Sequence, residues 1–170
     1  MAIKHLTKYR ETAGRPYTGR NGMYSHVKAT AAGAKVLTNI SRELKLPAGL
    51  DRQMKLHCTV MWSKVAPHTP RAANYAFRGV ATIDRLDFWK GHDSQGYVVA
   101  ILNSPDLQKL HNEWGERGCS HSFADYTPHV TLADDLGLTA ELSWRLNEVA
   151  AKYKGQVIDF LGEYLEDLKA

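Results

Sequence analysis

The sequence predicts an α+β protein of two lobes, built as two pseudo-symmetric strand-helix-strand units whose antiparallel sheets flank a central cleft. Three observations predict it. Apolar residues alternate with period two in several short segments and recur at helical spacing in longer ones. The order "YSHVKAT", helix, loop, "LHCTV" is repeated as "YVVAILN", helix, loop, "PHVTL". Tyr24 to His57 spans 33 residues and Tyr97 to His129 spans 32, the near-constant period that internal duplication leaves, although so common a unit also recurs by chance.

Residues 1–21 are polar, basic and punctuated by Gly and Pro, and read as an irregular N-terminal arm ahead of a single domain over 22–170. "GMYSHVK" reads as a short strand, and Thr30 as the N-cap of a helix with Val36, Leu37, Ile40 and Leu44 on one face. "KLPAGLD" ends that helix, and a strand follows over about 55–63. Segments 78–89 and 95–102 alternate and are joined by "KGHDS", which signals a β-hairpin. In "SPDLQKLHNEWGERG", Ser104 caps, Pro105 opens the first turn, Leu107, Leu110 and Trp114 form the apolar face, and Gly118 stops the helix. "YTPHVTLA" is a short strand, Thr139 to Lys154 a last amphipathic helix, and "QVIDFLGEYL" a returning strand.

At 170 residues the chain is long enough to bury a core without staples. Cys58 and Cys119 are too few for a disulfide framework and have no Cys-x-x-Cys spacing, which fits a reducing interior better than secretion. No apolar run approaches membrane-spanning length, so a soluble intracellular protein is expected. Residues 1–50 hold nine Lys/Arg against two acids, and residues 101–170 six against twelve. The basic end suits an anionic partner such as a nucleotide or nucleic acid; a solvated basic tail is the plainer alternative.

The chemistry lies in the two matched strands. Side chains alternate across a strand, so His57 and Thr59 share one face, as do His129 and Thr131, while Cys58, Val60, Val130 and Leu132 point to the apolar side. An imidazole and a hydroxyl about 7 Å apart along a strand can hold a phosphodiester, the imidazole on an attacking or leaving oxygen and the hydroxyl donating to a phosphate oxygen. Two such strands supply a general acid and a general base without a metal. Beside a ribose, one histidine would activate the 2′-hydroxyl and the other would protonate the departing 5′-oxygen, leaving a 2′,3′-cyclic phosphate first.

Eight histidines and eleven threonines in 170 residues would place about half a His-x-Thr by chance, and the chain holds three. The third, His5-Leu6-Thr7, lies in the polar arm without strand context and is a decoy. On these residues alone, a paired catalytic site and two satisfied structural histidines both stay open. Trp62 and Trp89 offer faces on which bases could stack, although packing is the commoner fate. Cys58 as a nucleophile is disfavoured, since the adjacent His57 points the other way. The remaining histidines show no metal-ligand spacing, and no metal is expected.

"HCTV" and "HVTL" resemble the His-x-Thr-hydrophobic motifs of the two-histidine (2H) phosphoesterase superfamily. Within it, "GMYSHVK", "KLHCTVMWS" and "FADYTPHVTLADD" are similar to the phage anti-CBASS cyclic-oligonucleotide phosphodiesterases, over about Gly22 to Asp135 with a fainter echo in "GEYLEDL". The resemblance implies a bilobed 2H fold and a metal-independent, cofactor-free hydrolase of 3′,3′-cyclic di- and oligoribonucleotides such as cGAMP. It would work in the cytoplasm of an infected bacterium, with no membrane and no stable protein partner, an oligomer remaining open. His57, Thr59, His129 and Thr131 carry over as the catalytic quartet, Tyr24 as a ligand or phosphate contact, and Glu163 as a contact to a base; Trp89 joins them as a substrate contact on its aromatic face alone. Glu163 otherwise reads as part of a solvated acidic tail. A 2H enzyme acting on RNA ends or linear 2′,3′-cyclic phosphates, or a non-catalytic nucleotide sponge, are the alternatives.

Overall fold

We describe a computed structural model of the chain over residues 17–47, 56–91, 95–121 and 125–168. The His5 decoy, most of the arm, the helix-ending "AGLD" and the centre of the "KGHDS" turn fall outside these residues. In chain order the elements are β1 (Met23–Ala29), α1 (Ala31–Glu43), β2 (His57–Ser63), β3 (Arg78–Lys90), β4 (Gly96–Asn103), α2 (Pro105–Glu116), β5 (His129–Leu136), α3 (Ala140–Tyr153) and β6 (Val157–Asp167).

Each helix begins where a hydroxyl can replace the missing first-turn acceptor. Thr30, Ser104 and Thr139 accept from the backbone N–H groups of Gly33, Leu107 and Leu142 at 3.2, 3.1 and 3.0 Å, each cap worth about 1 kcal/mol. The buried stripes follow at helical spacing: Gly33, Leu37 and Ile40 on α1, Leu107, Leu110 and Trp114 on α2, Leu142, Leu146 and Val149 on α3. Among the described residues no helix is long and apolar enough to cross a membrane.

The strands form one six-stranded sheet in the order β2-β1-β6-β3-β4-β5, every neighbouring pair antiparallel. Separate sheets were expected for the two units. They are fused because β6 pairs with β1 on one side, Val27 opposite Glu163, and with β3 on the other, Val80 opposite Asp159. The order is nonetheless a palindrome of the two units: a motif strand outermost, its unit partner next, a further strand at the seam. β2 and β5 are therefore the sheet's outer strands rather than ladder neighbours, yet they contact one another.

The helices are not confined to their own units. α2, which leaves β4, packs against β3 and β2, where the His111 Nδ1–H donates to the Val60 carbonyl at 2.7 Å, and its Trp114 indole reaches β6 to donate to Glu163 at 3.2 Å. α1 enters against β6, with Gly33 so close to the Asp159 carbonyl that a Cβ would stand 2.9 Å from it.

Candidate active site

β1 and β2 present one polar face. Lys28 lies opposite His57, His26 opposite Thr59 and, past a bulge at Val60, Tyr24 opposite Trp62, so alternation along β1 together with that bulge in β2 places these six side chains on one face. The Tyr24 hydroxyl and Thr59 Oγ1 hydrogen-bond at 3.2 Å. His26 is stacked on Tyr24 with ring centres 4.9 Å apart and meets His57 edge-on at 5.6 Å. On its other side it stacks against Tyr164 of β6 at 5.6 Å.

The second motif is built on β5 against β4, with His129 opposite Ile101 and Thr131 opposite Val99. Its outer wall is Trp89, whose ring lies edge-to-face on His129 at 4.5 Å and on Tyr97 at 5.9 Å, and whose indole N–H donates to Asp87 at 3.2 Å. The His129 Nδ1–H donates to the Thr127 carbonyl at 2.9 Å. A carbonyl can only accept, so the lone pair of a neutral imidazole is left on Nε2. Burial lowers the His129 pKa, opposed by that bond to Thr127, and the neutral form is favoured near neutrality.

The two motifs are stitched together on the opposite, apolar side. The Tyr126 hydroxyl donates to the Thr59 carbonyl at 2.9 Å and lies 3.8 Å from the Cys58 sulfur. The Tyr126 ring stacks on His111 at 4.1 Å and 3°, so α2, β2 and the approach to β5 are locked in one stack. These contacts tie the approach to the second His-x-Thr onto the first, and β2 and β5 lie in contact. Burial pushes the Cys58 thiol up to about 11, so it stays protonated near neutrality and holds the strands. Tyr126 and His111 have roles that the sequence does not disclose; the one signal is a tyrosine three residues ahead of the second motif.

Glu163 is not a solvated tail residue. It is fully buried, and Arg71 holds its two oxygens at 3.1 and 2.9 Å while Trp114 donates to it. Arg71 also reaches Glu113 at 2.6 Å. The cause of this burial is a bulge: Gly162 has φ +86°, a conformation that only glycine adopts cheaply, and the inward alternation of Ile158 and Phe160 resumes one residue out of phase at Glu163 and Leu165. With its oxygens engaged and no exposed surface, Glu163 in this structure offers a base nothing to touch. A depression of about 630 Å³ lined by Arg71, Asn74, Arg78, Asp106 and Lys109 lies beside this network, and its lining includes neither His57 nor His129. Among the described residues, no group of three or more His, Cys, Asp or Glu is arranged to hold a metal ion.

The family described as "Anti-CBASS protein Acb1" matches residues 21–170. The chain belongs to this family. Among similar Acb1 proteins, that of Vibrio phage KVP40 is 35% identical over 114 residues, covering 67% of this chain and 73% of the relative. Those of Yersinia phage phiR1-RT and Enterobacteria phage T4 are each 32% identical, over 118 and 117 residues, covering 69% and 68% of this chain and 74% of each relative. The Acb1 match takes in both His-x-Thr strands, the Tyr126 clamp and the Glu163 strand, and leaves out nearly all of the basic arm.

His26 gives the site a measurable acid response. It is only 3% exposed, and burial first, then the charges of His57 and Lys28, hold it down at about 3 against an ordinary 6.5. The unfolded chain thus takes up a proton that the folded chain refuses, and the associated stability is present above pH ~6.5 and lost as pH falls toward 3. From pH 7 to pH 5 this group alone should remove up to about 2 kcal/mol. Urea unfolding at the two pH values should show a smaller loss for His26→Phe than for the unsubstituted chain; equal losses would mean that His26 is freely protonated in place.

Proposed function

We propose that the chain is a metal-independent phosphodiesterase of the 2H type that cleaves 3′,3′-cyclic di- and oligoribonucleotide signals such as cGAMP, and so counters CBASS immunity in the host of a phage. The observation that carries this reading is the clamp: the Tyr126 hydroxyl, three residues ahead of His129, is bonded to the Thr59 carbonyl, and the two His-x-Thr strands β2 and β5 lie in contact. The names of the relatives, anti-CBASS proteins of phages, support the biological setting.

His129 is the base. Its Nδ1–H is tied to Thr127, burial disfavours its charged form, and Nε2 is left to take the proton of the ribose 2′-hydroxyl. The 2′-oxygen attacks phosphorus, the bond to the 5′-oxygen breaks, and His57 delivers a proton to that oxygen. Thr59 and Thr131 donate to the non-bridging oxygens, with Thr59 oriented by Tyr24. The first product is a 2′,3′-cyclic phosphate. Trp89 walls the His129 side, where its ring can hold the adjoining base at the rim.

Incubation of 3′,3′-cGAMP with the chain in excess EDTA, followed by chromatography after denaturation, tests the reading. The expected result is linear product passing through a 2′,3′-cyclic phosphate. Complete loss of cleavage on chelation rejects the metal-independent mechanism. Unaltered ligand recovered in full identifies a sponge, and preference for linear 2′,3′-cyclic ends identifies an RNA-end enzyme.

A further inference from the structure

The polar face that holds His57 does not end at β1. Lys28, directly opposite His57, is exposed, and its ammonium lies 4.2 Å from the centre of the Tyr164 ring. Tyr164 in turn meets Tyr75 at 5.6 Å and 64°, and Tyr75 is 70% exposed. From His57 the rings of His26, Tyr164 and Tyr75 thus follow one another at three equal steps of 5.6 Å.

Tyr75 is on a rigid support despite its exposure. It sits in the turn closed by the Phe77 N–H donating to the Asn74 carbonyl at 3.0 Å. The bulge of β6 grips both ends of that turn, Gly162 N–H donating to Phe77 at 2.8 Å and Glu163 N–H to Asn74 at 2.9 Å. The Arg71–Glu163 pair anchors the same loop from below. A large exposed ring on a backbone-anchored turn, next to a second ring and an ammonium, is placed for a flat ligand with an anionic group.

We propose that Lys28, Tyr164 and Tyr75 form a second nucleotide subsite, in which Lys28 takes a phosphate adjoining the scissile one and Tyr75 stacks the base of that nucleotide, while Tyr164 holds the Lys28 stem in place. The subsite rests on the phosphodiesterase reading for what lies between the histidines. Its ligand class is a ribonucleotide of at least two phosphodiester-linked units, because one nucleotide cannot fill the histidine clamp and reach Tyr75 as well.

The test measures calorimetric binding of 3′,3′-cGAMP and of 2′,3′-cyclic AMP to the full chain carrying His129→Ala, alone and with Lys28→Met, Lys28→Arg or Tyr75→Ala added. Lys28→Met and Tyr75→Ala should each weaken cGAMP binding about tenfold, with Lys28→Arg within about threefold of its parent. Lys28→Met should also flatten the salt dependence of cGAMP binding. The mononucleotide, which fills only the clamp, should change by less than about twofold in each case. Unchanged cGAMP affinity in both loss variants, equal weakening of both ligands, or no cGAMP binding by the parent overturns the subsite. Cleavage by the unsubstituted chain separates the two proposals: binding with these losses but no cleavage keeps the subsite and rejects the phosphodiesterase, whereas cleavage indifferent to Lys28 and Tyr75 does the reverse.

Discussion

Alanine at His129 should lower cGAMP turnover by about a hundredfold to ten-thousandfold, the range that a positioned acid or base contributes. The variant should still fold, because the bond that ties the approach to β5 onto β2 runs from the Tyr126 hydroxyl to the Thr59 carbonyl rather than through the imidazole. Binding should persist within about tenfold, since Thr59, Thr131 and His57 still face the phosphate. His57→Ala should behave alike. The double variant should fall little below either single one, because the acid and the base act in one transition state and their losses are not additive. Steady-state rates, cGAMP affinity and thermal unfolding on the three variants check this. Near-normal turnover by either single variant would show that the paired assignment is wrong.

The second large effect is on stability. Arg71→Met should cost about 3–5 kcal/mol, the usual result of leaving a fully buried carboxylate without its partner. Glu163 has no exposed surface and no other cation bonded to it among the described residues; Trp114 alone cannot balance its charge. Burial already raises the Glu163 pKa, opposed by Arg71. Removing Arg71 raises it further. A carboxyl whose folded pKa is raised is least harmful below its unfolded value and most harmful above its folded one. The deficit of Arg71→Met relative to the unsubstituted chain should therefore shrink as pH falls from 8 toward 5. Adding Glu163→Gln should recover part of the loss at pH 8. Urea unfolding of both variants across that range measures it. A pH-independent deficit would mean that lost packing on Trp114, whose ring Arg71 covers at 4.3 Å, outweighs the loss of the counter-charge.

Local signals make most of the elements legible. Thr30 and Ser104 cap the helices they are expected to cap, the last helix starts at Thr139 as expected, and the hairpin, both motif strands and the last strand fall within a few residues of their expected places. The two His-x-Thr motifs can be paired in advance because alternation and spacing are properties of the chain itself. What stays hidden depends on long-range partners. Nothing local in "LGEYLED" reveals that Gly162 steps the strand out of phase, or that Arg71, 92 residues away, supplies the counter-charge for Glu163. Nor does β1 announce its role, although Tyr24, His26 and Lys28 alternate as a strand face should; in the sequence His26 is one more histidine without metal-ligand spacing, and only the register of β1 on β2 makes it a neighbour of His57. The single continuous sheet is not foreseeable either, because it depends on where β6 inserts.

That insertion has a consequence for synthesis. β6, which leaves the ribosome after the other described strands, occupies an interior place in the sheet, between β1 and β3. Until it emerges, β1-β2 and β3-β4-β5 have no common strand to align them, and Glu163 cannot seat Arg71. A nascent chain lacking β6 therefore carries both histidines, with Tyr126 to tie their strands, but not the strand that joins the two halves of the sheet.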